Sequence, residues 1–191
     1  MYLPKPAEST GFQKCPEGTH LATCYEVIDR GTQETRWGKK RQVWIGWETP
    51  NELMDDGRPF VIGDKYTFNS HEKSTLRNHL ELWRGKRFSD DEISKFAIES
   101  VIGTACLLSV IHKESGDRVY ANIASIAALP KGTETPELHN ERVFFSLERS
   151  EFNEAVFNSL SERMQETIKQ SPEYAELAMV GAGETEGDSP F

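Results

Sequence analysis

The most continuous apolar pattern in the chain is TACLLSVIHKESGDRVYANIASIAALPKG, residues 104–132, where two runs rich in Val, Ile, Leu and Ala flank the polar segment 113–117. Such runs joined through a short Gly-containing loop predict a β-hairpin. Its first arm is apolar on both parities and is expected to be buried on both faces. The second alternates, Val119, Ala121 and Ile123 against Tyr120 and Asn122, which leaves one face free. Upstream, residues 20–29, 42–48 and 59–69 carry three further strand patterns. The first sets Leu21, Tyr25 and Val27 against Ala22, Glu26 and Ile28; the second sets Val43, Ile45 and Trp47 against Gln42, Trp44 and Gly46; the third has Phe60, Ile62, Tyr66 and Phe68 on one parity. Gly46 inside a strand, on the Trp44 parity, marks a bulge or a close backbone approach.

Between the third strand and the hairpin the period changes. Leu76, Leu80 and Trp83 fall at i, i+4 and i+7, a helical spacing, with Gly85 as its C-cap. Ser89 and Glu92 form a capping box that opens a second short helix carrying Ile93, Phe96 and Ala97. Trp47, Phe60, Phe68 and Trp83 each lie on an apolar parity or helix face and are expected in the core. The order strand, strand, strand, helix, strand, strand predicts an α+β domain, mainly β: an OB-fold, the five-stranded, partly open barrel whose helix lies between strands three and four.

After Gly132 the chain changes character. Residues 133–140 are an acidic, Pro-containing linker and 142–147 a short apolar run. Helical spacing returns through Phe152, Val156 and Phe157 and again through Leu160, Met164 and Ile168, with Ser159 and Glu162 as a capping-box pair and Pro172 as a stop. These helices are expected to dock on the barrel. From Gly181 the segment GAGETEGDSPF holds three glycines and three acids, a composition that cannot pack. The predicted organisation is an N-terminal arm (1–18), an OB-fold nucleic-acid-binding domain (19–132), a linker with a helical extension (133–180) and a disordered acidic tail (181–191).

The net charge of −9 argues against a nucleic-acid partner until it is divided. Residues 1–133 carry 18 basic and 18 acidic side chains, whereas 134–191 carry 4 and 13, so the body is neutral and the C-terminal third holds all the acidity. No run approaches the ~18 apolar residues of a membrane span, and the N-terminus lacks a signal-peptide core, which predicts a soluble, non-exported protein. Three cysteines, Cys15, Cys24 and Cys106, fit a reducing cytoplasm better than a disulfide framework.

A neutral body can still present a basic face. Residues 30–41, RGTQETRWGKKR, predict a basic loop with Trp37 near its tip among Arg36, Lys39, Lys40 and Arg41, leading into the strand that carries Trp44. Positive charge interleaved with aromatic platforms is what single-stranded nucleic acid requires. Tyr120 on the free face of the hairpin, with Lys113 before its turn and Lys131 beyond its second arm, supplies a second wall; Arg84, Lys86 and Arg87 extend the groove or complement a helix C-terminus. Catalysis finds no support. There is no phosphate-binding glycine loop and no paired nucleophile and base, and the clusters 55–56 and 90–92 are explained by turns and caps. Cys15, His20 and Cys24 supply three ligands where a structural zinc site takes four, so neither metal nor cofactor is expected. The terminal acids Glu184, Glu186 and Asp188 run into Pro190 and Phe191, a ring and a carboxylate on one arm, suited to an apolar slot with a basic rim.

An OB-like body with an acidic tail ending Asp188-Ser189-Pro190-Phe191 resembles the single-stranded DNA-binding proteins of bacteria and bacteriophages. The runs 66–88 and 120–132 are similar to phage replication-region proteins with an OB-fold and a single-stranded DNA-binding role. The resemblance implies a protein that coats single-stranded DNA without sequence preference during phage replication and recombination in the bacterial cytoplasm. It also implies that the tail recruits replication and repair proteins, with Pro190 and Phe191 as the contact residues. The chain departs from bacterial members in its shorter linker, its less acidic tip and its helical segment 151–171. Two other readings stay open: a protein–protein adaptor built on the same fold without DNA binding, and a metal-dependent nuclease.

Overall fold

The computed structural model describes residues 13–183. Its first element, β1 (Gly18–Thr35), folds back through the two residues Arg36 and Trp37 onto β2 (Gly38–Leu53), which pairs in turn with β3 (Pro59–Thr67). Helix α1 (Thr75–Arg84), the one-turn α2 (Asp90–Ser94) and a 3-10 turn (Ile98–Val101) lead to the hairpin β4 (Ala105–Ser115) and β5 (Arg118–Ala127). Strand β6 (Val143–Phe145) and helices α3 (Glu154–Ser159), α4 (Glu162–Lys169) and α5 (Pro172–Gly183) follow. The protein is α+β: a six-stranded sheet, antiparallel in the order β3-β2-β1-β4-β5, with β6 added in parallel beside β1. Strands β3 and β5 lie close but do not pair, so the sheet is not closed into a barrel.

Several expectations change in detail. The predicted basic loop 30–41 is almost wholly strand, because Thr32, Gln33, Glu34 and Thr35 pair with Arg41, Lys40, Lys39 and Gly38 down to the two-residue turn. The apolar run after the linker is a strand, since Val143, Phe144 and Phe145 take the backbone edge of Glu26, Val27 and Ile28. Ser161, not Ser159, caps α4, accepting from the Met164 amide; α4 ends at Lys169, before Pro172 as expected, and Pro172 in turn opens α5, where its missing N–H is harmless in a first turn. Helix α5 continues to Gly183, beyond the predicted start of the tail at 181.

The main core lies inside the curved sheet. Val43, Ile45 and Trp47 of β2 meet Leu76, Leu80 and Trp83 of α1, and Trp47 and Trp83 pack with ring centroids 5.5 Å apart. The Trp83 indole N–H donates to the Ala105 carbonyl at 3.0 Å, which fixes α1 over the start of β4. Helix α1 begins at Ser74, whose side chain accepts from the Arg77 amide, and ends at Gly85 in the left-handed region that glycine adopts without strain. The buried Arg77 guanidinium donates to Glu81 and to the carbonyls of Ser70 and Phe88, tying the loop after α1 to the helix. Phe68, expected in this core, is 48% exposed: it lies one residue past the end of β3, its amide still donating to the Arg41 carbonyl at 2.8 Å and its ring centroid 5.8 Å from the Arg41 guanidinium.

A second core joins the C-terminal helices to the outer face of β1. Ile28, Phe145, Phe157, Leu160 and Ile168 form it, and Trp44 packs at its border. The docking is close: a side chain at Gly31, which has φ +67, would collide with Ser171 and Leu147. The Thr32 amide donates to Glu173 at 2.9 Å, and the Gln33 amide group to the Thr167 carbonyl at 2.9 Å.

The linker is held by one buried carboxylate. Glu48 is 0% exposed and accepts from the amides of His139 (2.6 Å) and Asn140 (2.9 Å) and from the Asn140 side chain (2.6 Å). Hydrogen bonds to a charged group contribute about 1.5–3 kcal/mol each, and a buried donor left unpaired costs a similar amount. Glu48→Ala is expected to lower stability by about 2–4 kcal/mol in urea denaturation. A loss below about 1 kcal/mol would show that the linker is held by other means.

Candidate nucleic-acid interface

The sheet's outer face carries a row of three aligned residues across three strands: Glu26 opposite Gly46, and Gly46 opposite Gly63. Without side chains, the two glycines leave a trough. A methyl group on Gly46 would collide with the Glu26 carboxyl, and one on Gly63 with the Trp44 ring, so both side chains lie flat against the backbone there. The Trp44 indole N–H donates to Glu26 Oε1 at 2.7 Å and locks the two together.

A β-bulge completes the arrangement. Register shifts between Cys24 and Glu26, leaving Tyr25 unpaired, and the bulge brings the adjacent side chains Tyr25 and Glu26 into the same groove. Burial pushes the Glu26 carboxyl up, opposed by hydrogen bonds from Trp44 and Tyr25; burial, with the neighbouring Glu26 charge, also raises the Tyr25 hydroxyl.

Around this floor runs a groove of about 950 Å³. One wall is the β4–β5 hairpin from Asp117 to Ala121, with Tyr120 48% exposed; the others are Lys14 of the lead-in, Val61 of β3 and Arg163 of α4. Lys14, Arg118 and Arg163 make the rim basic. Lys113 stands directly across the hairpin from Tyr120.

Of the predicted site residues, Trp44 and Tyr120 line this groove. Arg36, Trp37, Lys39 and Lys40 stand at the exposed tip of the β1–β2 hairpin, beyond the groove itself. Trp37 is 74% exposed, with the Arg36 guanidinium 4.9 Å from its ring centroid. Lys39 meets Glu34 at 3.6 Å in an exposed pair of little energetic weight, and Lys40 has no ion pair among the described residues. Arg41 faces the opposite side of β2, where Asp29 (2.6 Å) and Glu148 (2.8 Å) hold it charged beside a smaller cleft of about 270 Å³.

The structure does not bring the remaining cations to the groove. Arg84 and Lys86 face Glu92 in the capped first turn of α2, and Arg84, stacked on Phe88 at 4.4 Å, draws the Glu92 carboxyl down to about 2. Arg87 is exposed beside them, and Lys131 lies past the far end of β5. The tail residues Glu184, Glu186, Asp188, Pro190 and Phe191 lie outside the described residues. Cys15, Cys24 and Cys106 are buried free thiols, Cys15 pushed up to about 11 by its burial, while the His20 ring bonds to the Pro16 carbonyl at 2.8 Å. No group of three or more His, Cys, Asp or Glu placed to hold a metal occurs among the described residues. None of the described helices is long and apolar enough to cross a membrane.

Sequence reasoning missed Lys14, Tyr25, Glu26, Arg118 and Arg163. The legible signal was Gly46 on the Trp44 parity, which marked the close approach but not its partner. No family model matches the chain, and no curated protein sequence matches it.

Two measurements check this geometry. Gly63→Ala is expected to displace Trp44, cost about 1–3 kcal/mol and alter the near-ultraviolet circular dichroism; an unchanged spectrum would contradict the flat packing. Folded Glu26 binds its proton more tightly than the unfolded chain does. Its contribution to stability is therefore complete below the ordinary value of 4.5 and lost as pH rises through the raised one. The stability of Glu26→Gln relative to wild type, from urea midpoints, is expected to rise between pH 4.5 and neutrality. A constant difference would refute the shift.

Proposed function

We propose that the protein binds single-stranded DNA without strong sequence preference, through an OB-type body, and coats it during phage DNA replication and recombination. The observation that carries the reading is the groove itself, with aromatic rings on its floor and wall and basic side chains on its rim. Stacking platforms beside a positive backbone track are the physical requirements for holding an unpaired strand. The strand order adds support: β1 pairs with both β2 and β4, α1 lies between β3 and β4, and β3 and β5 approach at the open seam, as in an OB-type barrel. Trp37 extends the track along the hairpin tip, where a ring so exposed contributes little to folding. Recruitment of replication and repair proteins by Pro190 and Phe191 is the accompanying role that the tail's sequence suggests.

Fluorescence titration with an oligo-dT single strand tests the reading. Binding is expected to weaken steeply with salt, and each of Trp37→Ala and Tyr120→Ala to weaken it about 5- to 150-fold, the value of one stacked base. Lys40→Ala is expected to reduce the slope of log affinity against log salt by about 0.7. Absence of binding at low salt would leave the adaptor reading in its place.

A further inference from the structure

The groove floor holds a feature that a backbone-tracking site does not need. Glu26 is a carboxylate at the bottom of a groove whose wall and rim carry Lys14, Arg118 and Arg163 with one acid, Asp117, and among the described residues no cation is its partner. A phosphate placed on it would be repelled. Whatever rests there must donate hydrogen bonds, and in a single strand the donors are the edges of the bases. A strand bound here would lie with its bases turned inward to Glu26 and its phosphates outward to the rim formed by Lys14, Arg118 and Arg163.

The carboxylate is also built to accept. Its side chain is flattened over Gly46, and Trp44 fixes Oε1 at 2.7 Å. A carboxylate accepts about four hydrogen bonds, so the bond from Trp44 leaves most of its capacity for other donors. We propose that Glu26 reads the Watson–Crick edge of one base, favouring those that carry amino donors, with guanine first and thymine last. Guanine offers N1–H and N2–H side by side to a carboxylate. Cytosine and adenine offer one amino group. Thymine offers N3–H between two carbonyl oxygens that oppose a carboxylate. Burial raises the proton affinity of Glu26 despite the bond from Trp44, so a further donor from a base would relieve that cost. Tyr120, on the wall, supplies stacking that is the same for every base.

This preference rests on the single-stranded DNA reading, and one experiment separates the two. Competition titrations would compare a 15-mer of dT with the same strand carrying one central dG, dC, dA or an abasic site. Wild type is expected to favour the dG strand over all-dT by about 5- to 10-fold, with dC and dA between. Glu26→Gln, which keeps the shape and the Trp44 bond but replaces one acceptor by a donor, is expected to abolish that order or shift it toward dT. Tyr120→Ala is expected to weaken every strand and keep the order. Equal affinity of wild type for all strands, or the same order in Glu26→Gln, would overturn the assignment while leaving DNA binding intact. If no strand binds either protein, the nucleic-acid reading itself falls, and the base preference with it.

Discussion

The fold depends on how the backbone edge of β1 is shared. Strand β2 occupies one edge from Thr23 to Thr35, so every other neighbour must use the opposite one. Strand β4 takes residues Gly18 to Thr23 of that edge, and β6 takes Glu26 to Ile28. The handover falls at Cys24, whose N–H and C=O are satisfied by Thr104 (3.1 Å) and Gly103 (2.8 Å) just before β4 begins. Buried backbone groups must be paired, so this edge cannot lie open, and the sequence after the linker is drawn in to complete it. The C-terminal helices follow from that pairing, because β6 delivers Phe145 and Leu147 to the outer face where they pack.

The handover also creates the groove. A bulge at Tyr25, beside the point where β1 changes partners, turns Tyr25 and Glu26 toward the same space. Two glycines aligned with Glu26 lower the floor by the depth of a side chain, and Trp44 and Glu26 fill the trough lying down. An aromatic face and a carboxylate thus meet at the base of a basic-rimmed groove. Held flat by packing and by a hydrogen bond, they present one geometry to a ligand and lose little conformational freedom when it binds.

The charged residues divide by what surrounds them. Arg41, Arg77 and Arg84 lie beside carboxylates and carbonyls of their own fold, where they join elements. Those at the hairpin tip and groove rim, Lys40, Arg118 and Arg163 among them, are left to solvent or to a partner. A neutral body can therefore still expose a set of cations, since several of its arginines are already engaged by acids elsewhere.

Local pattern determined most of the elements. The alternation in residues 42–48 and 118–123, the helical spacing of Leu76, Leu80 and Trp83, and the Ser89–Glu92 capping box depend on neighbours a few residues apart, and each appears where its pattern predicts. The basic segment 30–41 became strand because long-range pairing between its two halves outweighs its polar composition. Strand β6, only three residues long, exists because β1 offers an edge more than a hundred residues away. Glu26 is the clearest case. The sequence placed it on a strand beside Tyr25, but its meeting with Trp44, Gly46 and Gly63 depends on a bulge and on the register of three strands. Side-chain periodicity reports which face a residue occupies; only tertiary pairing decides which residues share that face.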